Sequence, residues 1–493
     1  MDSNRVTPID ISEKDFRTIG YQLIDSIAKF YSTIGEKPVT TTKSPEDIQS
    51  LLGNRGFPIN GESPNDLIIK ASELLFNNSL LNGHPKFMGY ITASPAPIGA
   101  LGDLLASAVN PNCGAFALSP MASTIEKQTI SWLSEFIGVP TTYGGLLVSG
   151  GNMANFTAFL AARTAKAPSS FKEDGFLSLS KKMTIYCSKK THTWIEKAAI
   201  LFGHGKNSIK WIDCDNQNKM DLVALEKVIK SDLEKEYKPF MVIGTAGDVS
   251  TGAVDDMEGI AAICKKYNLW FHIDGAYGIP ASILPENDLL FKGFKEADSI
   301  AMDPHKWLYS PIEAGCTLVK NPKHLIDTYS SHPEYYNFTN SNSEQNYYEY
   351  GLQNSRGFKA LKVWLMLQQV GRNGYIKMIR EDIELSKILF EKVQSHPCLE
   401  AKTLNLSIAT FRYVPQNLSA KIHDVNVYLN KLNESIVNSL QKGGQLFLSN
   451  AVINEQYCMR TCIVNFRTSK KDIEEVIEII VKEGSKIEKS LTI

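Results

Sequence analysis

This chain of 493 residues predicts an α/β protein: a mainly parallel sheet flanked by helices, followed by a smaller α+β C-terminal domain. Three observations carry that expectation. Between about residues 120 and 320, short apolar runs alternate with helical stretches, as a parallel sheet with crossover helices requires. Those runs are apolar throughout rather than alternating, which fits strands buried on both faces. After about residue 376 the text changes to helices such as DIEEVIEIIVKE mixed with the strand-like segments ATFRYV and CMRTCIVNF.

In chain order, residues 1–85 form an N-terminal helical segment. Within 14–34, Phe16, Ile19, Leu23, Ile24, Ile27 and Phe30 fall on one face of an amphipathic helix. That stripe packs either on its own chain or on a second subunit. The large domain covers 86–375. Its strands are GGLLVSG, MTIYCS, FMVIGT, LWFHID, DSIAM and CTLVK; its helices are ASTIEKQTISWLSEFIG, ANFTAFLAARTAK and MEGIAAICKKYN, with FKALKVWLMLQQVG (358–371) closing the region. Residues 327–350, polar and rich in tyrosine, have no periodicity. A connection that long is functional or disordered. The small domain covers 376–493.

Charge is balanced, 52 Lys+Arg against 53 Asp+Glu, so no field favours nucleic acid or an anionic membrane. The eight cysteines form no CxxC pair, and the Cys458/Cys462 spacing lies in a strand-like run. They read as reduced core thiols, with no metal site expected. The polar N-terminus lacks the apolar core of a signal peptide, and no run approaches the ~20 apolar residues of a membrane span. A soluble cytoplasmic protein is expected.

Three motifs carry chemistry. LWFHIDGAYG (269–278) ends an apolar run on Asp274. Ligands gather at the carboxyl ends of parallel strands, although a lone Asp there serves equally as a helix cap or a buried ion-pair partner. DSIAMDPHKWLYSP (298–311) sets Lys306 between His305 and Trp307. A desolvated lysine has the free amine that a Schiff-base nucleophile needs; alone, the pattern also suits a surface lysine lying along apolar groups. GGLLVSGGNMANF (144–156) reads as strand, Gly-Gly turn and helix. Gly150 and Gly151 let the backbone approach an anion, and the N–H groups of Asn152 and Met153 open a helix towards a phosphate. A plain tight turn gives the same text. Together the three motifs call for pyridoxal 5'-phosphate, which needs a lysine, a carboxylate for its pyridine nitrogen and a cradle for its phosphate.

THTWIEKA, HIDGAYG and DPHKW, in that order, resemble the group II pyridoxal-phosphate-dependent amino-acid decarboxylases, among them the aromatic-L-amino-acid decarboxylases and their bacterial relatives. The likeness runs from about 80 to 375 and more faintly to both ends. It implies the fold type I, aspartate-aminotransferase-like architecture with a seven-stranded sheet, and a homodimer with its active site at the subunit interface. It also implies roles: Lys306 as Schiff-base lysine, Asp274 on the pyridine nitrogen, and Ala276 and His192 on the two ring faces. His192 would also assist proton transfer. Gly151, Asn152 and His305 would hold the phosphate, and Thr245 would lie beside the cofactor. His272 is either a supporting residue or a satisfied core histidine. Ser355 and Arg356 match a segment that reaches towards the site in the dimer, with Arg356 as readily structural as catalytic.

The implied reaction is decarboxylation of an L-amino acid to an amine and CO2. A loop tyrosine, Tyr335 by alignment with Tyr336 one step away, would reprotonate Cα. A phenylalanine there accompanies oxidative relatives that release an aldehyde, ammonia and peroxide. NGHPKFMGYITASPAP (82–97) resembles the substrate-pocket segment, and Phe87, Tyr90, Ile91 and Thr92 give a mostly apolar wall that disfavours a charged side chain. Phe87 and Tyr90 are equally readable as core residues. An aromatic substrate follows, although the tryptophan that aromatic members carry near Leu81–Asn82 is absent and Phe116 is the ring nearest Gly114. Alternatives are the oxidative enzyme, a glutamate- or diaminobutyrate-type decarboxylase, and a catalytically inactive binding subunit; retention of Lys306, Asp274, His192 and the loop tyrosine speaks against the last.

Overall fold

The structure is a computed structural model describing residues 7–331, 345–418 and 423–490. Its strands are β1 (Phe87–Met88), β2 (Gly144–Val148), β3 (Met183–Ser188), β4 (Ile209–Ile212), β5 (Lys238–Thr245) and β6 (Trp270–Asp274). They continue with β7 (Ser299–Met302), β8 (Gly315–Val319), β9 (Leu399–Asn405), β10 (Ile408–Tyr413), β11 (Phe447–Ile453) and β12 (Gln456–Cys462).

Seven strands form the large sheet in the order β2-β8-β7-β6-β5-β3-β4. β8 runs antiparallel to both neighbours and the remaining pairings are parallel. All six apolar runs of the sequence are strands of this sheet. The seventh, β4, escaped that reading because it lies at the edge, where Lys210 breaks the apolar run. Trp270 and Trp307 are buried in the surrounding core. The helix Gly151–Lys166 packs on β7 and β8, so the Gly-Gly turn at its start meets the carboxyl ends of the central strands.

A second sheet has the order β1-β11-β12-β10-β9. Its first strand comes from far upstream: β1 lies parallel to β11, with Phe87 opposite Phe447. The helices Val425–Gly443 and Lys470–Ser490 pack against each other beside this sheet. The helix Ala360–Ser395 connects the two bodies, touching the helices Pro97–Val109 and Pro120–Ile137 early and β9 and β10 late. It outruns the expected 358–371 because Gly371, at φ +64°, is a kink after which the helix resumes. A glycine in that conformation is an ordinary helix stop, hence the short reading.

The helices Glu13–Thr33, Pro45–Leu52 and Pro64–Asn78 bury no residue at all. Phe16 of the predicted amphipathic stripe is 62% exposed. Among the described residues no helix is long and apolar enough to cross a membrane.

Candidate active site

A cavity of about 580 Å³ opens at the carboxyl ends of the central strands and is closed on its other side by β11 and β12. The large sheet supplies its floor. Lys306 Nζ stands 3.2 Å from Asp303 Oδ2 on the turn after β7. At the end of β6, Asp274 is buried, with Oδ2 accepting from Trp194 Nε1 at 2.8 Å and Oδ1 from the Ala276 amide at 3.3 Å. Trp194 is itself fully buried and stacks edge-on against His272.

His272 is a tie between two elements. Its Nδ1 meets Ser299 Oγ at 2.8 Å on β7, and its Nε2 meets Asn155 Oδ1 at 2.7 Å on the helix Gly151–Lys166. Burial pushes its imidazole down to about 4, so the ring is neutral. The structure thus makes it both a satisfied core histidine and a support, fixing the helix start relative to Asp274.

Gly150 has φ +153° and no side chain caps the helix that follows, so its first N–H groups, on residues that line the cavity, have no side-chain partner. A Cβ on Gly151 would lie 2.7 Å from Asp303 Oδ2, and one on Gly150 would lie 3.2 Å from His305 Cε1. A side chain at Gly151 would collide with Asp303, and one at Gly150 would crowd His305 on a backbone at φ +153°. His305 lines the same corner, its Nδ1 2.8 Å from the Ala314 carbonyl, and burial lowers its pKa. His192 also lines the cavity; its Nδ1 accepts from the Trp194 amide at 3.3 Å, and burial likewise lowers its pKa against the opposing pull of Asp274. Thr245 is fixed through its amide, which donates to Asp255 Oδ2 at 2.8 Å.

Of the residues singled out in the sequence, the cavity brings together Lys306, Asp274, Ala276, His192 and Thr245, the Gly151–Asn152 turn with His305, and Tyr90 with Thr92 on the far wall. Two stand elsewhere in this chain. Phe87 is buried with its ring stacked 5.5 Å from Phe447, because β1 is drawn into the small sheet, and it does not line the cavity. Ser355 is exposed on the turn before Arg356, also away from the cavity. Arg356 is structural: buried, it holds Glu126 and donates to the Leu147 and Cys113 carbonyls. Tyr335 and Tyr336 lie outside the described residues.

The sequence reading missed Arg460. Only 2% exposed on β12, it lines the cavity, donates from Nη1 to the Tyr90 carbonyl at 3.2 Å and leaves Nε and Nη2 without a partner. Nothing in CMRTC distinguishes an arginine aimed at a site more than 150 residues upstream. Asp303 was quoted within DPHKW without being singled out; it is 1% exposed and its Oδ1 has no partner.

The donor set fits pyridoxal phosphate. An amine and a buried carboxylate share one cavity with a side-chain-free helix start of the kind that receives a phosphate. Comparison with known proteins agrees. The pyridoxal-dependent decarboxylase conserved domain matches residues 45–413, and a PDXDC1-like second central domain matches 389–492. An aromatic-L-amino-acid decarboxylase of Bacillus atrophaeus is 32% identical over 477 residues, 96% of each chain. A 4-hydroxyphenylacetaldehyde synthase of Rhodiola rosea is 27% identical over 494 residues, 98% of each chain. Among solved structures, Oryza sativa TDC with PLP and tryptamine superposes with a TM-score of 0.91 at 23% identity, covering 98% of this chain and all of that one, a likeness of fold. With its fold, its cofactor cradle and its sequence in agreement, the chain belongs to the pyridoxal-dependent decarboxylases, the carboxy-lyases that use pyridoxal phosphate to act on amino acids.

Proposed function

We propose that this enzyme decarboxylates an aromatic L-amino acid to its amine and CO2, and that it does so as a homodimer. The observation that carries the reading is the make-up of the cavity: Lys306 and Asp274 on the floor face a wall of Tyr90, Ile91 and Thr92, with the part-unpaired guanidinium of Arg460 beside them. Ring and aliphatic groups take up an aromatic side chain, while a side-chain carboxylate or ammonium would lose its hydration there. The similarity to an aromatic-L-amino-acid decarboxylase along almost the whole chain supports the same substrate class.

Bound in the cavity, pyridoxal phosphate supplies the electron sink for the bond that breaks at Cα. The protein's own groups do the rest. Lys306 offers the amine that anchors the cofactor. Asp274, held by Trp194, serves as counter-ion to the protonated ring nitrogen, and His192 and Ala276 confine the ring. Gly151, Asn152 and His305 receive the phosphate. Arg460 pairs with the substrate carboxylate and so orients the bond to be broken. Tyr335 or its neighbour Tyr336 delivers the proton to Cα.

What the chain leaves uncovered supports the dimer. Phe16, Tyr21 and Ile24 on the first helix, and Leu101, Leu104 and Leu105 on the helix Pro97–Val109, are exposed apolar side chains. Runs of exposed apolar side chains along a helix favour an interface. A second copy covering it would also give Ser355 a route to a neighbouring site. Eight unpaired cysteines support residence in the reducing cytoplasm.

The test is incubation of the cofactor-loaded enzyme with pooled L-amino acids and mass spectrometry of the products. An aryl-ethyl amine is expected. An aldehyde with peroxide would establish the second reading, oxidative decarboxylation, which the similarity to 4-hydroxyphenylacetaldehyde synthase favours. An amine from glutamate or diaminobutyrate alone would overturn the aromatic assignment.

A further inference from the structure

Asp303 is an unusual neighbour for an incoming phosphate. It lies three residues before Lys306, is 1% exposed, and its Oδ2 is 3.2 Å from Lys306 Nζ and 3.8 Å from His305 Nε2. The same oxygen is 2.7 Å from where a Cβ on Gly151 would stand, so the carboxylate lies against the helix start that would receive a phosphate. Its other oxygen, Oδ1, is buried without a partner. An anion in this corner already occupies the favourable end of the helix and the only cation within 3.5 Å of it among the described residues.

A second anion entering the same buried corner meets like charge at short range, and like charges in a shared site hold one of them in its protonated form. We propose that Asp303 makes cofactor loading proton-linked: its carboxylate pairs with Lys306 before the phosphate arrives and takes up one proton as the phosphate docks, so that it lies beside the phosphate as a neutral acid. Oδ2, the oxygen against the helix start, is the atom placed to hold that proton and donate it to the phosphate. Other charged or titratable groups facing this corner are His192 and Lys190 after β3, Asp274 at the end of β6, Arg460 on β12 and Lys362 on the helix Ala360–Ser395. His305 is kept neutral by burial and is therefore a poor substitute as compensating cation. Asp303 is a positioning residue here: it acts on the binding of the cofactor and makes no bond to the substrate.

The test reads cofactor binding, not turnover, and is independent of which amino acid is the substrate. Dissociation constants for pyridoxal phosphate are measured by fluorescence titration in Lys306→Ala and in Lys306→Ala/Asp303→Asn, where no covalent bond to the protein obscures the result. Titrations that the cofactor itself contributes are common to both and cancel. Above neutral pH the single variant should lose affinity relative to the double variant, approaching an extra tenfold per pH unit, the signature of one linked proton. The two should converge at low pH, because Asn imitates the neutral acid. Parallel curves, or weaker binding by the double variant at every pH, would overturn the proposal and leave Asp303 as a plain partner of Lys306. Should the double variant fail to fold, calorimetry of the cofactor-free wild type with sulfate, a dianion without a proton to lose or gain in this range, decides the matter. Titrations in two buffers of different ionisation enthalpy should show net uptake of about one proton per sulfate; no uptake overturns the proposal.

Discussion

Trp194 Nε1 donates a 2.8 Å hydrogen bond to Asp274 Oδ2, and both groups are buried. The indole occupies one carboxylate oxygen and leaves the other to the Ala276 amide and the cavity. Trp194→Phe removes the only side-chain donor to Asp274 found among the described residues. A hydrogen bond to a buried charge is worth about 1.5–3 kcal/mol, and the unfolding midpoint in urea should fall accordingly. Asp274→Asn keeps the shape and removes the charge. Its turnover should drop about a hundredfold or more, the scale of losing one preorganised electrostatic partner, while circular dichroism stays that of the wild type.

Arg460 lines the cavity with two unpartnered nitrogens, and its substitution tests whether substrate and cofactor are held by different groups. Arg460→Met removes the guanidinium from the cavity and keeps an unbranched apolar stem on β12. KM should rise by about ten- to a hundredfold, the equivalent of one charge-assisted hydrogen bond. The visible absorbance of the bound cofactor should not change. A lost absorbance with unaltered KM would move Arg460 from the substrate to the cofactor.

The ion pair of Arg356 and Glu126 is a strut. Arg356 Nη1 is 3.0 Å from Glu126 Oε2, and Glu126 Oε1 also accepts from the Leu147 amide at 2.9 Å. The pair pins the segment after residue 345 to β2. Arg356→Met leaves a buried carboxylate without its cation, which costs about 3–5 kcal/mol. Replacing both partners, Arg356→Met with Glu126→Gln, should recover part of that stability, as a double-mutant cycle by urea unfolding would show.

Asp382 predicts how stability depends on pH. On the helix Ala360–Ser395 it accepts from Trp307 Nε1 at 2.9 Å and from the Tyr309 hydroxyl, and burial pushes its carboxyl up to about 7. Because the folded state holds this proton more tightly than the unfolded chain does, the native protein gains stability at low pH. That contribution is fully present below the unfolded value near 4 and is lost as pH rises towards 7. Asp382→Asn should flatten the fall in urea midpoint between pH 5 and pH 7 by the slope of one proton. His272, pushed down to about 4, acts with the opposite sign: its share is lost as pH falls from about 6.5 towards 4.

The floor of the site was legible in the sequence because each of its parts is local. Asp274 ends an apolar run, Lys306 follows one, and Gly150–Gly151 joins a strand to a helix, so strand-end geometry brings them to one edge of the sheet, while their roles came from the likeness of HIDGAYG and DPHKW to the decarboxylase motifs. The wall was legible only at Tyr90, Ile91 and Thr92, because the rest of it is assembled by pairing across the chain. Phe87 was readable as substrate wall or as core, and the structure buries it as core. A two-residue strand has no periodicity, and its partner Phe447 lies 360 positions away. Arg460 is equally hidden, since its value to the site lies in two nitrogens that its own strand does not satisfy. Edge strand β4 was lost to its mixed pattern, and the helix after Gly371 to a kink that resembles an end.

The pairing of β1 with β11 has a further consequence for how this scaffold can change. Ser449 Oγ accepts from the Tyr90 amide at 2.6 Å and Arg460 donates to the Tyr90 carbonyl, so residue 90 is suspended between two strands of the small sheet at a positive φ. Lys306 and Asp274 are set by the large sheet, while the facing wall at Tyr90 is held by the small one. Side chains at 87–92 and on β11 (447–453) can therefore change without disturbing Lys306, Asp274 or the glycine turn. Such a division allows one chemistry to be passed among many side chains during divergence, and it marks the few positions where a designer should start.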